Sequence, residues 1–439
     1  MPTPRRPDLR AWLDRWGPVL PLFVAEFIAW TGYGALLPVM PLYFRDHGVD
    51  VELLGIVIAA WPLATLVGQP AFGWLADRSS RTRIMVGGLV VTAVALALPL
   101  VLTSAPAFIA LRALAGLGTS AYDPAARGYL TDATPPERRG EAFGLYGAGQ
   151  MAGLLLGPAI GGLGAAAVGS VSFVFVLGAI TTLGAALAVG LTVREREGGH
   201  SHVGPSIDFT EFPGEPPQRY AIADAGSERP GRGSRPQPAM LVNRLLLAAL
   251  VLNLGSYLAG GTYEVIWSLF LEGRGASLGF IGLTFALWGL PVLLLSPYAG
   301  RLVDRRSGLS LIVAGSIAMS VASVSYPFVP ELGWVLPLSI LEASGFAFLN
   351  PALYALVAAG SPPGRSSTAQ GLFGAAGTMG TIVASVLAGY LAALDIRLPF
   401  FASAIALMAC LGVGLAVGGH AIRRVGEQPA TSLEPAPAP

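Results

Sequence analysis

The chain contains 439 residues, of which 53% are hydrophobic and only 12% are charged, and its mean hydropathy is +0.63. Since soluble domains carry about 25% charged residues, this composition excludes a water-soluble globular protein. The net charge is +1, and the sequence has no basic cluster of the kind that binds nucleic acid. A single cysteine excludes an intramolecular disulfide, and the four histidines form no cluster that predicts a metal site.

Long apolar runs follow one another along the chain, each close to the roughly 20 residues that an α-helix needs to cross a bilayer. Backbone groups in lipid must be satisfied within the segment, which favours helices. The first run is too long for the apolar region of a signal peptide, so we expect it to be retained. We predict an all-α membrane protein with twelve transmembrane helices, at residues 18–44, 53–76, 84–103, 106–130, 143–167, 170–193, 243–271, 279–300, 309–329, 333–359, 367–391 and 397–418.

The arginines predict the orientation of these helices. All 27 basic residues are arginine, and of those in the loops only Arg45, Arg274 and Arg397 fall on the outer side of the predicted topology. The positive-inside rule then places both termini in the cytoplasm. The predicted regions are an N-terminal cytoplasmic segment (1–17), a six-helix bundle (18–193), a flexible cytoplasmic linker (194–242), a second six-helix bundle (243–418) and a disordered cytoplasmic tail (419–439).

The two predicted bundles are related in sequence at one fixed offset. The segment that begins at Gly73 and contains Asp77 recurs from Gly300 with Asp304, and 300 − 73 = 227. A parallel repeat of six helices plus six is one way in which transporter folds are assembled. The same offset, without a gap, also pairs Gly55 with Gly282, Trp61 with Trp288, Pro124 with Pro351 and Gly153 with Gly380.

Three motifs in the first half resemble those of the major facilitator superfamily, and the resemblance extends over residues 18–418. They are Gly73-x-Leu75-Ala76-Asp77-Arg78-x-Ser80-Arg81, Arg112-x-x-x-Gly116-x-Gly118 and Gly153-x-x-x-Gly157-Pro158-x-x-Gly161-Gly162. The third motif is similar to that of the twelve-helix drug/proton antiporters in particular. Ser80 stands where the first motif has its second glycine.

The resemblance implies a cytoplasmic gate. In such a gate the Asp77 carboxylate caps a helix of the opposite half, while the arginines pair with acids such as Asp132. A solvated charged turn that merely follows the positive-inside rule is the alternative. The predicted gate residues are Gly73, Asp77, Arg78, Arg81, Asp132, Gly300, Asp304 and Arg305.

A glycine stripe marks the fifth predicted helix. Gly149, Gly153, Gly157 and Gly161 recur every four residues and lie on one helix face, which allows a neighbouring backbone to approach closely. A generic packing face explains the spacing alone, but Pro158 also favours a kink. The resemblance assigns the four glycines, Pro158 and Gly162 to an antiporter motif. The second half has Ser385 at the position of Pro158.

Ionisable residues inside a predicted membrane helix are candidates for function, because burying them in lipid costs about 2.5 to 3.5 kcal/mol. We predict that Glu26 is the principal proton carrier, with Asp123 sharing its site and Arg112 stabilising the charged form of a facing acid. The alternatives are a structural acid paired with arginine for Glu26 and a gate residue for Asp123.

The remaining candidates are predicted to line a substrate cavity. Asn253 matches Glu26 in the repeat, which favours proton handling in the first half and substrate contact in the second. Glu264 and Glu342 are candidates for binding a cation, although Glu264 could instead snorkel to water. The predicted cavity residues are Trp30, Tyr33, Asn253, Tyr257, Glu264 and Glu342.

These features favour proton-coupled efflux of a lipophilic or cationic small molecule by alternating access. The sequence has no nucleotide-binding phosphate loop, so we expect the proton gradient to supply the energy without any cofactor. Nothing in the sequence predicts an enzyme. The alternatives are uptake of a sugar or other metabolite and a non-transporting membrane sensor or scaffold. We expect a monomer in a bacterial cytoplasmic membrane, whose partners are its small-molecule substrate and the lipid bilayer.

Overall fold

A computed structural model describes residues 16–17, 19–135, 138–193, 243–303, 308–361 and 366–427. Within these ranges the chain forms α-helices joined by short turns and has no β-strand, so the predicted all-α fold is confirmed. The predicted linker, and most of the predicted N-terminal segment and tail, lie outside the described residues. The helices are α1 (Leu20–Leu36), α2 (Met40–Asp46), α3 (Val51–Arg78), α4 (Arg81–Ala97), α5 (Ala105–Ala133), α6 (Arg139–Val168), α7 (Phe173–Thr192), α8 (Arg244–Glu272), α9 (Leu278–Val303), α10 (Gly308–Ser325), α11 (Val335–Gly360), α12 (Ser366–Leu394) and α13 (Leu398–Glu427).

Most of these helices are suited to a bilayer. Among the described residues, ten helices are long and apolar enough to cross a membrane, or eleven spans if α1 and α2 together form one bent span. Helix α5 is not among them because Arg112, Asp123, Arg127 and Asp132 lower its hydropathy. A multi-pass membrane protein is therefore confirmed, whereas the count of twelve spans, which includes α5, stays a prediction.

The bend in the first span has a local cause. Pro38 and Pro41 interrupt the apolar run, and proline lacks the N–H that would continue a helix and disfavours helical geometry in the preceding residue. Helix α1 ends at Leu36, and α2 begins at Met40 with an axis that differs by 46°. The break directs α2 toward the end of α8.

Helices α1–α7 and α8–α13 form two bundles with matching internal contacts. In the first bundle α1 packs against α6 and α7, α3 against α5, and α4 against α5 and α7. In the second, α8 packs against α12 and α13, α9 against α11, and α10 against α11 and α13. Every one of these contacts in one bundle has its counterpart in the other, as the repeated sequence predicts.

The bundles touch each other mainly through α3 with α12 and α6 with α9, with smaller contacts of α2 and α3 with α8. We call the end with the α2–α3, α4–α5 and α6–α7 connections the outer end, and the opposite end the inner end. A Cβ atom built on Gly55 would lie 2.2 Å from the Ser385 carbonyl oxygen, and one on Gly282 would lie 2.4 Å from the Pro158 carbonyl oxygen. These two contacts are related by the repeat, since 282 − 55 and 385 − 158 both equal 227. Glycine is required at both positions because the facing atoms belong to the backbone.

The inner end is different. No atom lies within 4 Å of a Cβ built on Gly144 or Gly147 of α6, on Gly300 of α9, or on Gly371 of α12. In the described part of the chain, the close glycine contacts between the bundles lie toward the outer end, and these four inner-end glycines have no contact of this kind. We infer that a cavity between the two bundles opens at the inner end.

Candidate functional site

The most deeply buried acid of the first bundle is Glu26 of α1, whose exposed fraction is 0%. The Tyr122 hydroxyl donates a hydrogen bond of 2.9 Å to Glu26 Oε2, whereas Oε1 has no partner among the described residues. The side chains of Trp30 and Tyr146 adjoin the same carboxyl group, and Asp123 is close enough for the two carboxylates to repel each other. We call Glu26, Trp30, Tyr122, Asp123 and Tyr146 the acid cluster.

The acid cluster is held together by the packing of α1, α5 and α6. Tyr122 and Asp123 are consecutive residues of α5, and Tyr146 precedes the glycine stripe of α6. The sequence indicated Glu26, Trp30 and Asp123. The sequence gave no reason to select Tyr122 and Tyr146, because tyrosine is common in apolar helices. These two tyrosines face Glu26 only because of how the helices pack.

The glycine stripe of α6 packs directly on α1. Built Cβ atoms on its four glycines would each meet a backbone carbonyl oxygen of α1, at distances between 2.1 and 3.1 Å. Such close contact allows the two backbones to touch along about three turns. The stripe is therefore a packing face, and any role in antiport remains a prediction. The contacts are Gly149 with Phe23, Gly153 with Phe27, Gly157 with Thr31 and Gly161 with Ala35.

Gly162 and the backbone carbonyl of Pro158 in the same motif face the other bundle, whereas the Pro158 ring lies against Gly34 of α1. A Cβ built on Gly162 would lie 2.5 Å from the Leu278 carbonyl oxygen and 2.8 Å from the Cα atom of Gly282. One short segment of α6 thus contacts α1 within its own bundle and α9 across the interface. The motif positions the two bundles relative to each other at the closed outer end.

A second group of side chains, which we call the arginine site, contains Tyr33, Trp61, Arg112 and Glu264. Arg112 of α5 is 5% exposed, and its guanidinium carbon lies 5.8 Å from the centre of the Trp61 ring. Tyr33 is stacked on Trp61 with ring centres 5.2 Å apart, and its hydroxyl faces the guanidinium. Trp30 adjoins this site as well, because its ring meets the edge of Tyr33 at 5.3 Å.

Glu264 is the acid that faces Arg112, and it comes from α8 of the other bundle. The two side chains interact through their charges but form no ion pair in the described structure. Arg112 lies seven residues from the outer end of α5 and Glu264 eight residues from that of α8, which places them about 10 and 12 Å below those ends. The sequence predicted that Arg112 faces an acid, but it did not identify Glu264 as that acid.

The other predicted cavity residues lie in different surroundings. Asn253 is 3% exposed, and its Nδ2 donates a hydrogen bond of 2.8 Å to the Phe373 carbonyl oxygen, so it joins α8 to α12 within the second bundle. Glu342 is 4% exposed and accepts a hydrogen bond of 2.8 Å from the Tyr326 hydroxyl. Tyr257 is 37% exposed. Both Asn253 and Glu342 are thus enclosed by their own bundle in this conformation, and their predicted place in a substrate cavity stays a prediction.

At the inner end, Arg81 forms ion pairs with Asp132 and, at 3.5 Å, with Asp77. The Asp77 side chain is 75% exposed, and among the described residues its ion pair is with Arg81 of its own half. The predicted contact with a helix of the opposite half stays a prediction. Arg78 instead lies 3.9 Å above the ring of Trp74.

The matching gate of the second half is described only in part. Gly300 lies near the end of α9, whereas Asp304 and Arg305 lie outside the described residues. In the first half, Gly73 has a Pro124 side-chain atom 3.8 Å from its built Cβ. Ser80, which replaces the second glycine of the motif, accepts a hydrogen bond of 3.3 Å from the Arg83 N–H. Its hydroxyl caps α4, which gives a physical reason for serine at this position.

An ion pair that the sequence did not predict joins the two bundles at the outer end. Arg45 of α2 and Glu272 of α8 form two hydrogen bonds, one of them from Nη2 to Oε1 at 3.0 Å. The two residues occupy matching positions of the repeat, since 272 − 45 = 227. Their opposite charges at one repeat position were the signal that could have revealed this pair.

Comparison with known proteins is consistent with this architecture. The family model described as "Major Facilitator Superfamily" matches residues 22–263 and 245–435. "Multidrug resistance protein 2" of Bacillus subtilis (strain 168) is 24% identical over 400 residues, which cover 88% of this chain and 92% of that protein. "Quinolone resistance protein NorA" of Staphylococcus aureus is 29% identical over 141 residues, which cover 32% of this chain and 36% of NorA. The match to NorA thus spans about a third of its length.

Solved structures of low sequence identity share the fold. A bacterial homologue of the human lysosomal transporter Spinster, in an inward-facing and unoccupied conformation, has a TM-score of 0.71 at 15% identity, covering 97% of this chain and all of that chain. The nucleoside transporter NupG has a TM-score of 0.71 at 13% identity, covering 91% of this chain and 98% of that chain.

Proposed function

Because the chain belongs to the major facilitator superfamily, we propose that it is a proton-coupled exporter of lipophilic or cationic small molecules that works by alternating access. In this proposal twelve spans cross the cytoplasmic membrane, α5 among them, and the inner end faces the cytoplasm. The substrate enters the cavity at the inner end, and the outer end opens after the bundles have rocked against each other.

The observation that carries the proposal is the acid cluster. The Glu26 carboxyl group is 0% exposed and accepts a hydrogen bond from the Tyr122 hydroxyl. Because burying an ionisable group in a membrane is costly, such a residue is a candidate for function. Asp123 adds a second carboxyl group nearby. Two negative charges in a low-dielectric region repel each other, and a proton on either one removes the repulsion. A cluster of this kind is suited to taking up a proton in one conformation and releasing it in the other.

The relatives support a drug-like substrate. Multidrug resistance protein 2 aligns over nearly the whole chain, and NorA over one segment. The cavity side of the first bundle carries the aromatic rings of Trp30, Tyr33 and Trp61, which offer apolar faces to a planar compound. The solved structures of the bacterial Spinster homologue, a nucleoside transporter and a peptide transporter support the fold alone, at 13–15% identity.

The decisive experiment is transport in proteoliposomes with an imposed pH gradient. The wild-type protein should move a lipophilic cationic dye against its gradient, whereas Glu26→Gln should move it only down its gradient and without a response to pH. Glu331→Gln is the matched control, because it removes one carboxylate from an exposed position between α10 and α11.

Full gradient-driven transport by Glu26→Gln would contradict the assignment of Glu26. Failure of the wild-type protein to move any lipophilic cation, together with robust flux of a sugar, would contradict the export proposal itself.

A further inference from the structure

The inner half of the first bundle is filled by one apolar core, to which α1, α3, α4, α5, α6 and α7 all contribute. The largest side chain of this core, Trp16, comes from the segment that precedes α1 and is buried. The Trp16 carbonyl oxygen accepts a hydrogen bond of 2.9 Å from the Val19 N–H. The chain therefore turns just before α1, with the Trp16 ring enclosed in the bundle.

Trp16 lies between the inner end and the acid cluster. Its ring packs against Phe23 with ring centres 6.2 Å apart, and Phe23 is three residues from Glu26, on the same face of α1. Tyr122 and Tyr146, the two tyrosines of the acid cluster, belong to the same core. From the inner end into the bundle, Trp16 therefore comes first, Phe23 second and Glu26 third.

This order matters because Glu26 is close to the inner end. It is six residues from the start of α1, which is about 9 Å at the rise of an α-helix. Its carboxyl group is nevertheless fully enclosed, and both Trp16 and Phe23 are buried. Water from the inner side would have only this layer of two rings to cross before it reached the acid.

Trp16 acts in this core through its volume and not through a hydrogen bond. Its Nε1 atom has no hydrogen-bond partner among the described residues, although a buried indole N–H normally has one. A phenylalanine or leucine would avoid the cost of an unpaired donor. The largest ring occupies the position despite that cost, which indicates that the space has to be filled.

The second bundle offers an internal comparison. The repeat pairs Trp16 with Asn243 and Glu26 with Asn253, since 243 − 16 and 253 − 26 both equal 227. Asn243 is exposed and caps α8, because its side chain accepts a hydrogen bond of 2.9 Å from the Leu246 N–H. The bundle with the acid thus has a buried ring at its base, whereas the bundle with the amide has an exposed cap there.

A proton-coupled exporter must prevent its acid from exchanging protons with both sides of the membrane at once. The core around Trp16 belongs entirely to the first bundle, so this layer stays in place when the two bundles rock against each other. Without it, Glu26 would remain connected to the inner side in the outward-open conformation. Protons would then cross the membrane without any substrate.

Resting on the proposed export function, we propose that Trp16 seals the interior of the first bundle below Glu26, so that protons do not pass between this acid and the inner end through the bundle itself. Proton exchange with Glu26 then follows the alternation of the two bundles. Trp16 is a positioning residue, which excludes water from the acid and makes no contact with the substrate.

The test measures how fast a pH gradient decays across proteoliposomes in the absence of substrate. The liposomes enclose a pH indicator, and valinomycin with equal potassium on both sides holds the membrane potential at zero. Trp16→Ala should raise the protein-dependent decay rate about tenfold, which corresponds to a barrier lower by about 1.4 kcal/mol. Trp16→Phe keeps an aromatic ring and should remain close to the wild type. The matched control is Trp334→Ala, which removes a tryptophan that is 58% exposed at the outer end and should leave the rate unchanged.

A double variant separates a seal from a general loss of packing. Trp16→Ala combined with Glu26→Gln should return the decay rate to that of Glu26→Gln alone, because the opened path ends at the acid. A bundle that was merely loosened by the missing ring would leak with or without the acid.

A wild-type decay rate in Trp16→Ala would overturn the inference, as would a raised rate that persists without Glu26. If Trp16→Ala does not give monodisperse protein, a wild-type rate in Trp16→Leu has the same meaning, since leucine also leaves part of the space empty. Proton-driven dye export by the wild type, together with an unchanged leak in Trp16→Ala, would refute the inference and leave the proposed function intact. A Glu26-dependent leak in Trp16→Ala, without proton-driven export of any lipophilic cation by the wild type, would do the reverse.

Discussion

Replacing Gly162 with alanine should hold the outer ends of the two bundles apart. The new Cβ would lie 2.5 Å from the Leu278 carbonyl oxygen and 2.8 Å from the Gly282 Cα atom. Both atoms belong to the backbone of α9, so the overlap is relieved only if a helix moves. Overpacking of this kind costs about 1–3 kcal/mol.

The whole of this cost falls on the conformation with a closed outer end, because the contact is absent once the bundles separate there. A difference of about 1.4 kcal/mol changes an equilibrium tenfold. The population ratio of outward-open to outward-closed protein should therefore rise by a factor of about 5 to 150 in Gly162→Ala.

Pulsed electron paramagnetic resonance can measure the change as a distance between spin labels at the outer ends of α3 and α12. Asp50 and Leu394 are exposed there, the latter with an exposed fraction of 78%, and Cys410→Ser removes the single native thiol. In nanodiscs, Gly162→Ala should show a larger population at the longer distance than the wild-type background does.

The control is Gly147→Ala in the same helix. No atom lies within 4 Å of a Cβ built on Gly147, and the substitution brings the same gain in helix propensity of about 1 kcal/mol. It should leave the distance distribution unchanged. If folded Gly162→Ala also showed the wild-type distribution, the contact with α9 would not hold the outer end closed, and the reasoning would be refuted.

Two further predictions concern the outer end and the glycine stripe. Arg45→Glu should increase the outward-open population by a factor of about 1.4 to 5, since a pair this exposed contributes about 0.2–1 kcal/mol. The double reversal Arg45→Glu with Glu272→Arg should restore the wild-type distances, and a failure to do so would show that the pair does not hold the outer end closed. Gly161→Ala should lower the melting temperature relative to Gly147→Ala, because its Cβ would lie 2.1 Å from the Ala35 carbonyl oxygen; equal melting temperatures would show that α1 accommodates the methyl group without cost.

Much of the architecture could be read from the sequence because it depends on patterns within one helix or on the repeat. Apolar length predicts helices, and the offset of 227 residues between Gly73 and Gly300 predicts two bundles with matching contacts. The bend at Pro38 was not predicted, and the first apolar run was read as one uninterrupted helix. Two prolines within four residues were sufficient to indicate it.

The candidate site was less accessible to prediction, because its members come from different helices. Glu26 and Arg112 were selected as charges inside the membrane, but the sequence does not tell which tyrosine points at Glu26 or which acid faces Arg112. Those pairings depend on how α5 is rotated against α1 and α8. Likewise, the prediction for Asn253 followed its repeat position, whereas its amide is engaged by the Phe373 carbonyl oxygen.

The ion pair between Arg45 and Glu272 bears on how the chain arose. In a symmetric dimer of one six-helix unit, an interface position on the two-fold axis meets its own copy, so two arginines or two glutamates would face each other. Residues of opposite charge can occupy that position only when the two units are encoded separately, so that one can carry arginine and the other glutamate. An attractive contact at the outer end therefore became available only after duplication, and fusion into one chain ensures that every molecule contains one of each.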